Sequence, residues 1–245
     1  MRRTLRSEGG KSGGSDFAHI SAGDRAGDGG FMEKKKRVLG YYNYTVVLTY
    51  IGMLCGFTGI ICAMEKNFSS ALVCLLVAGV CDMFDGAIAS TRERDDSERR
   101  FGIQIDSLSD LVCFGVLPAA FVCSIGERSY VCFWIAGAYL LCTLIRLAYF
   151  NVLEEERQAS DAGRRKSYMG MPVTTMAMLL PAVNELCRYR RVNSLMPYCV
   201  LLFLAGGAYL APVTIKKPAI VGKIIMIVIG VVEVTALALG VIWDI

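Results

Sequence analysis

Histidine is almost missing from this chain. One residue in 245, His19, is a histidine, and it lies in a polar N-terminal stretch far from any apolar run. A serine–histidine triad or a histidine-bound zinc within the apolar part has nothing to build on. The ten cysteines contain no Cys-x-x-Cys pair. Most fall inside apolar runs, where a free thiol behaves as a small apolar residue, so no zinc or disulfide framework is expected. No apolar segment of signal-peptide type follows the early arginines. No internal repeat is evident, which counts against an inverted-repeat transporter. The ten-residue alternation of a membrane β-barrel is absent as well. Net charge is +4, but residues 1–40 hold nine Lys/Arg against five Asp/Glu, and segments 91–105 and 151–167 each balance four against four. Excess charge confined to a tail ahead of a first apolar run is a topology signal, and no nucleic-acid surface is expected.

What the chain does have is apolar length. Hydrophobic residues make up 54% of it, and its mean hydropathy is +0.47. Both values are those of a polytopic membrane protein. Seven segments have the roughly 20 apolar residues that a crossing helix needs: 42–64, 69–90, 106–125, 130–151, 168–186, 196–215 and 219–242. The predicted class is therefore all-α, a polytopic integral membrane helix bundle. Residues 1–37 read as a disordered basic tail, with Met32 an alternative start. Segment 91–105 reads as a solvated connection. With the N-terminus inside, the arginines of 91–105 and 151–167 and the pair Lys216–Lys217 fall on the cytoplasmic side, although Arg188, Arg190 and Arg191 weaken the bias.

Four aspartates stand where two of these segments meet the same predicted loop. They are Asp82 and Asp85, then Asp106 and Asp110. On helices, spacings of three and four put each pair on one face. Carboxylates at membrane depth are costly and mark function. Four converging ones repel unless cations lie between them, and hard oxygen donors suit magnesium, manganese or calcium. Gly86 and Ala89 share the helix end and leave room for a substrate or a neighbouring backbone. Blander readings stay open. Asp106 fits a helix N-cap, Arg146 fits a snorkelling or aspartate-pairing side chain, Asn151 fits a helix cap, and an acidic cluster also fits a divalent-cation transporter. Glu233, alone in the last segment, has no evident partner.

The pattern Asp82-x-x-Asp85-Gly86-x-x-Ala89, then Gly102-x-x-x-Asp106-x-x-x-Asp110, resembles the signature of the CDP-alcohol phosphotransferases. Within that family, Phe101-Gly-Ile-Gln-Ile-Asp-Ser-Leu-Ser-Asp-Leu-Val-Cys-Phe-Gly-Val-Leu-Pro118 is similar to the third helix of the bacterial and archaeal serine phosphatidyltransferases. Ile145-Arg146-Leu-Ala-Tyr-Phe-Asn151, Tyr168-Met-Gly170-Met-Pro172, Asn43 and the Gly52–Gly56 stretch resemble other parts of the same proteins. The resemblance covers about residues 38–217, a six-helix membrane domain, and leaves 218–245 as an additional transmembrane helix. It departs at Ser90, where the family commonly has arginine. The gap to Gly102 is also longer than usual, with Arg92 or Arg94 as substitutes for the missing charge.

The resemblance implies an activity and a site. The enzyme would transfer a phosphatidyl group from CDP-diacylglycerol to L-serine, giving phosphatidylserine and CMP. Inositol phosphate or glycerol phosphate are the alternative acceptors. Asp82, Asp85, Asp106 and Asp110 would ligate two Mg2+ or Mn2+ ions, and Asp110 would also act as general base. Asp82, Gly86 and Ala89 would line the nucleotide, and Arg146 and Asn151 would bind substrate. A homodimer in a prokaryotic cytoplasmic membrane is implied, with N-terminus and active site facing the cytoplasm.

Overall fold

The computed structural model describes residues 40–89, 95–126, 129–159, 167–192, 194–216, 230–232 and 235. All of these fall in one compact unit, Gly40–Ile245. The predicted tail 1–37 lies outside the described residues.

Among the described residues, six helices carry the fold. They are α1 (Tyr44–Met64), α2 (Phe68–Ala89), α3 (Asp96–Ile125), α4 (Tyr130–Ala159), α5 (Met176–Tyr189) and α6 (Met196–Leu210). The first four are long and apolar enough to cross a membrane, α6 is a shorter apolar helix, and the predicted all-α membrane bundle is what forms. Helices are the expected solution, since in lipid each backbone amide must find its partner within the protein. Among the described residues the exception is a small antiparallel clasp. Ser167–Met169 pairs with Thr214–Lys216, with Ser167 opposite Lys216 and Met169 opposite Thr214.

Two turns close by the same device. Lys66 (φ 62°) and Arg191 (φ 51°) adopt left-handed backbone after α1 and α5. The next amides reach back to helix carbonyls, Asn67 N–H to Cys62 O at 2.8 Å and Val192 N–H to Cys187 O at 2.8 Å. This is the Schellman closure, which satisfies carbonyls that a helix end otherwise orphans. Asn67 then accepts the Ser70 amide at 3.2 Å and so starts α2.

Packing centres on α3. Phe114, Leu117, Phe121 and Val122 are fully buried there, against Leu72 and Leu75 of α2 and Tyr139 of α4. Between helices in lipid, close packing has to supply what hydrophobic transfer cannot. Small residues on α1 allow it. A β-carbon on Gly56 would stand 2.5 Å from Cys113 Sγ and 3.2 Å from its Cα, so only glycine permits α1 to lie this close to α3.

Four boundaries differ from expectation. The third span begins at Asp96, not 106, so the last two-thirds of the supposed solvated connection 91–105 is helix, while residues 90–94 lie outside the described residues. Asp95 holds the N-cap position, and Asp96 and Glu98 occupy the first turn, where acidic groups suit the dipole. Asp106 is therefore mid-helix, and the capping reading of it fails. The fourth span runs on to Ala159, so Asn151 is interior and caps nothing. Segment 168–186 opens as a strand, then Gly170 (φ 79°), extended Pro172 and a 3-10 turn at Val173–Thr175 delay α5 to Met176. A β-carbon at Gly170 would also stand 3.0 Å from the Tyr209 carbonyl, which makes glycine the fitting residue. The sixth segment ends as helix at Leu210 and continues as strand. Most of 219–242, including Glu233, lies outside the described residues.

Candidate functional site

α2 and α3 cross near the last turns of α2, and their aspartates face one another. One carboxylate oxygen from each of Asp82, Asp85 and Asp106 lies within 4.8 Å of the others. Asp110 stands one turn beyond Asp106 on α3 and borders the same space. All four line one small cleft, with Thr49, Gly52, Ala78, Cys81, Ser109, Cys113 and Phe114 completing its wall. Asp85 is the most enclosed of the four, at 8% exposure.

The helices explain the geometry. Asp82 and Asp85 are three apart on α2, and Asp106 and Asp110 four apart on α3, so each pair shares a face. A π turn, Leu111–Val116, begins directly after Asp110 and is closed by Leu117 N–H to Val112 O. Such a turn leaves a helix carbonyl unspent and is frequent at functional sites. Here the Tyr139 hydroxyl donates to Phe114 O, and Tyr209 OH stands 3.4 Å from Tyr139 OH while donating to Val173 O at 3.2 Å.

Hydroxyl groups tie the aspartate helices to α1. Thr49 Oγ1 donates to Asp85 Oδ2 at 3.2 Å, and Ser109 Oγ donates to the Thr49 carbonyl at 3.4 Å. One turn on, Cys113 Sγ donates to Gly52 O at 3.4 Å. Thr49 and Ser109 did not stand out in the sequence as site residues. Their partners are tens of residues away, and a single threonine or serine in an apolar run carries no pattern.

The donor set is oxygen-only and negatively charged, and it is enclosed by apolar helices. Carboxylates this close repel strongly where solvent screening is weak. A hard divalent cation is the group whose charge and ligand preference fit these residues.

The other predicted residues are not among those lining the cleft in the described part of the chain. Gly86 and Ala89 end α2, but their surroundings lie outside the described residues, as do Ser90, Arg92 and Arg94. Arg146 is buried on α4, its guanidinium 5.6 Å from the Phe150 ring centre, and does not line the cleft. Asn151 bridges to α3: Ser107 Oγ donates to its Oδ1 at 2.7 Å, and its Nδ2 donates to Gln104 Oε1 at 3.4 Å.

Spanning helices around a buried carboxylate cleft define an integral membrane protein with a polar reaction or binding centre. The chain belongs to the CDP-alcohol phosphatidyltransferase family, a transferase family whose model matches residues 42–242. It is 34% identical over 143 residues to the CDP-diacylglycerol–serine O-phosphatidyltransferase of Saccharomyces cerevisiae, covering 54% of this chain and 51% of that one. It is 27% identical over 150 residues to the archaetidylserine synthase of Methanothermobacter thermautotrophicus, covering 61% of this chain and 60% of that one. A CDP-diacylglycerol–serine O-phosphatidyltransferase of Methanocaldococcus jannaschii is 28% identical over 182 residues, covering 74% of this chain and 78% of that one. The chain thus spans about half to three-fifths of the first two relatives and more of the third.

Proposed function

We propose that this protein transfers the phosphatidyl group of CDP-diacylglycerol to L-serine, releasing CMP and making phosphatidylserine. The observation that carries the reading is the convergence of Asp82, Asp85 and Asp106 within 4.8 Å, beside Asp110, in a chain of this family. Relatives named for serine transfer support the choice of acceptor.

Asp82, Asp85, Asp106 and Asp110 would hold two divalent cations, magnesium or manganese. When bound, these would supply charge neutralisation at the diphosphate and lower the pKa of the acceptor hydroxyl. Asp110 takes the proton from the serine hydroxyl. The serine oxygen then forms its bond to the lipid-side phosphorus as the bond from that phosphorus to the bridging oxygen breaks, and the electron pair leaves with CMP. Asp82, Gly86 and Ala89 border the nucleotide. Arg146 would offer its guanidinium fork to a lipid phosphate or serine carboxylate reaching past the cleft, and Asn151, held by Ser107 and Gln104 of α3, would bind substrate with it. The loop charges support a cleft and N-terminus on the cytoplasmic side of a prokaryotic membrane, and a homodimer is the expected assembly.

The test is CMP release by protein in detergent–lipid micelles with CDP-diacylglycerol and Mn2+ or Mg2+, with and without L-serine, beside Asp110→Asn. Serine-dependent release that the variant lacks supports the reading. Release with inositol phosphate or glycerol phosphate alone moves the acceptor but keeps the family chemistry. No release with any acceptor, together with metal flux into liposomes, overturns it in favour of transport.

A further inference from the structure

Hydroxyl side chains inside apolar helices normally turn back on their own helix. Thr58 donates to Leu54 O at 2.9 Å, Ser124 to Ala120 O at 2.8 Å and Thr143 to Tyr139 O at 3.0 Å, each four residues back. That back-bond is the local default, because it satisfies the hydroxyl without a partner from elsewhere. At the cleft the default is abandoned. Thr49 has a single hydroxyl proton, and it goes to Asp85 Oδ2 on α2. Ser109 sends its own proton to the Thr49 carbonyl on α1. Thr49 is 7% exposed and Asp85 8%, so water does not compete strongly for either.

We propose that Thr49 is a positioning residue for the aspartate centre: its hydroxyl sets the rotation of the Asp85 carboxylate, and its carbonyl anchors α3 through Ser109. The inference rests on the reading that the aspartates hold divalent cations. A carboxylate free to rotate presents its oxygens to a cation only part of the time. Fixing one oxygen by a charge-assisted hydrogen bond presents the other lone pairs to the cleft in one orientation. The same residue joins both aspartate helices, since Asp85 belongs to α2 and Ser109 lies between Asp106 and Asp110 on α3. Distance between the two carboxylate pairs is thereby referred to a single residue of α1. Valine at this position would keep the shape and lose the proton. Serine would keep the proton.

The experiment is Mn2+ binding to the full-length protein in detergent, read by electron paramagnetic resonance without either substrate. Wild type, Thr49→Val and Thr49→Ser are compared, with melting midpoints in EDTA measured alongside. The expected result is a Mn2+ affinity about tenfold weaker in Thr49→Val, the low end for losing a group that orients a metal ligand. Thr49→Ser should stay within about twofold of wild type, and all three should melt within a few degrees in EDTA. Equal Mn2+ affinity in Thr49→Val and wild type overturns the role of Thr49 and leaves the metal reading standing. Equal weakening in Thr49→Val and Thr49→Ser also overturns it, since shape and not the hydroxyl would then matter. Failure of wild type to bind Mn2+ overturns the metal reading itself, and this inference with it.

Discussion

The Tyr139 hydroxyl donates its proton to the carbonyl of Phe114, inside the π turn that follows Asp110. Both residues are about 1% exposed, so no water stands in for the bond. Tyr139→Phe removes the donor and leaves a buried carbonyl unmatched, which costs about 1–3 kcal/mol. The expected outcome is a melting midpoint several degrees lower, with Mn2+ affinity changed less than stability. A midpoint equal to wild type would show that the π turn does not depend on this donor.

Asp106 and Asp110 should separate in their effects. Asp106 belongs to the close carboxylate trio, so Asp106→Asn is expected to abolish both Mn2+ binding and CMP release. Asp110→Asn is expected to lower kcat by about 10²–10⁴-fold, the usual range for a lost general base, while retaining part of the Mn2+ affinity. Stripping metal with EDTA should stop turnover in wild type, and Mn2+ or Mg2+ should restore it. Equilibrium binding and initial rates on the same preparations check all of this.

Arg146 is buried beside Phe150. Lysine keeps its charge but loses the planar fork. Arg146→Lys is expected to raise the KM of one substrate by about tenfold, the scale of one charge-assisted hydrogen bond. Titrating CDP-diacylglycerol and serine separately identifies which one. If neither KM moves while stability falls, the guanidinium is a packing element.

Helix spacing gives a paired prediction. At Gly56 a new β-carbon would press on Cys113, whereas at Gly137 nothing lies within 4 Å. Gly56→Val should destabilise by about 1–3 kcal/mol or more through overpacking. Gly137→Ala should be neutral or gain up to about 1 kcal/mol from helix propensity. Thermal melts of the two variants check the contrast.

The aspartate centre was legible because its pattern is local. Spacings of three and four declare a helical face, and apolar surroundings declare depth. The start of α3 was not legible, because reading by hydropathy stops where Asp96–Arg100 turns charged, although charged residues continue a helix readily. Thr49 and Ser109 were invisible for a different reason. Their partners are 36 and 60 residues distant, and no local spacing announces a hydroxyl that leaves its own helix. The clasp Ser167–Met169 with Thr214–Lys216 likewise depends on long-range pairing that short segments do not advertise.

α3 is a single rod of 30 residues, about 45 Å at 1.5 Å per residue. The hydrocarbon of a bilayer is about 30 Å thick. A rod of this length overshoots by about 15 Å, the rise of its first ten residues, and Asp106 is the eleventh. With its C-terminal end set at the far edge of the hydrocarbon, its carboxylate would fall at the boundary between oil and headgroups. A lipid already lying in the leaflet can offer its phosphate there by lateral diffusion, and a small solute can arrive from the water side. In that placement neither would have to enter the oil, and the proposed transfer would need no lifting motion to bring the two together.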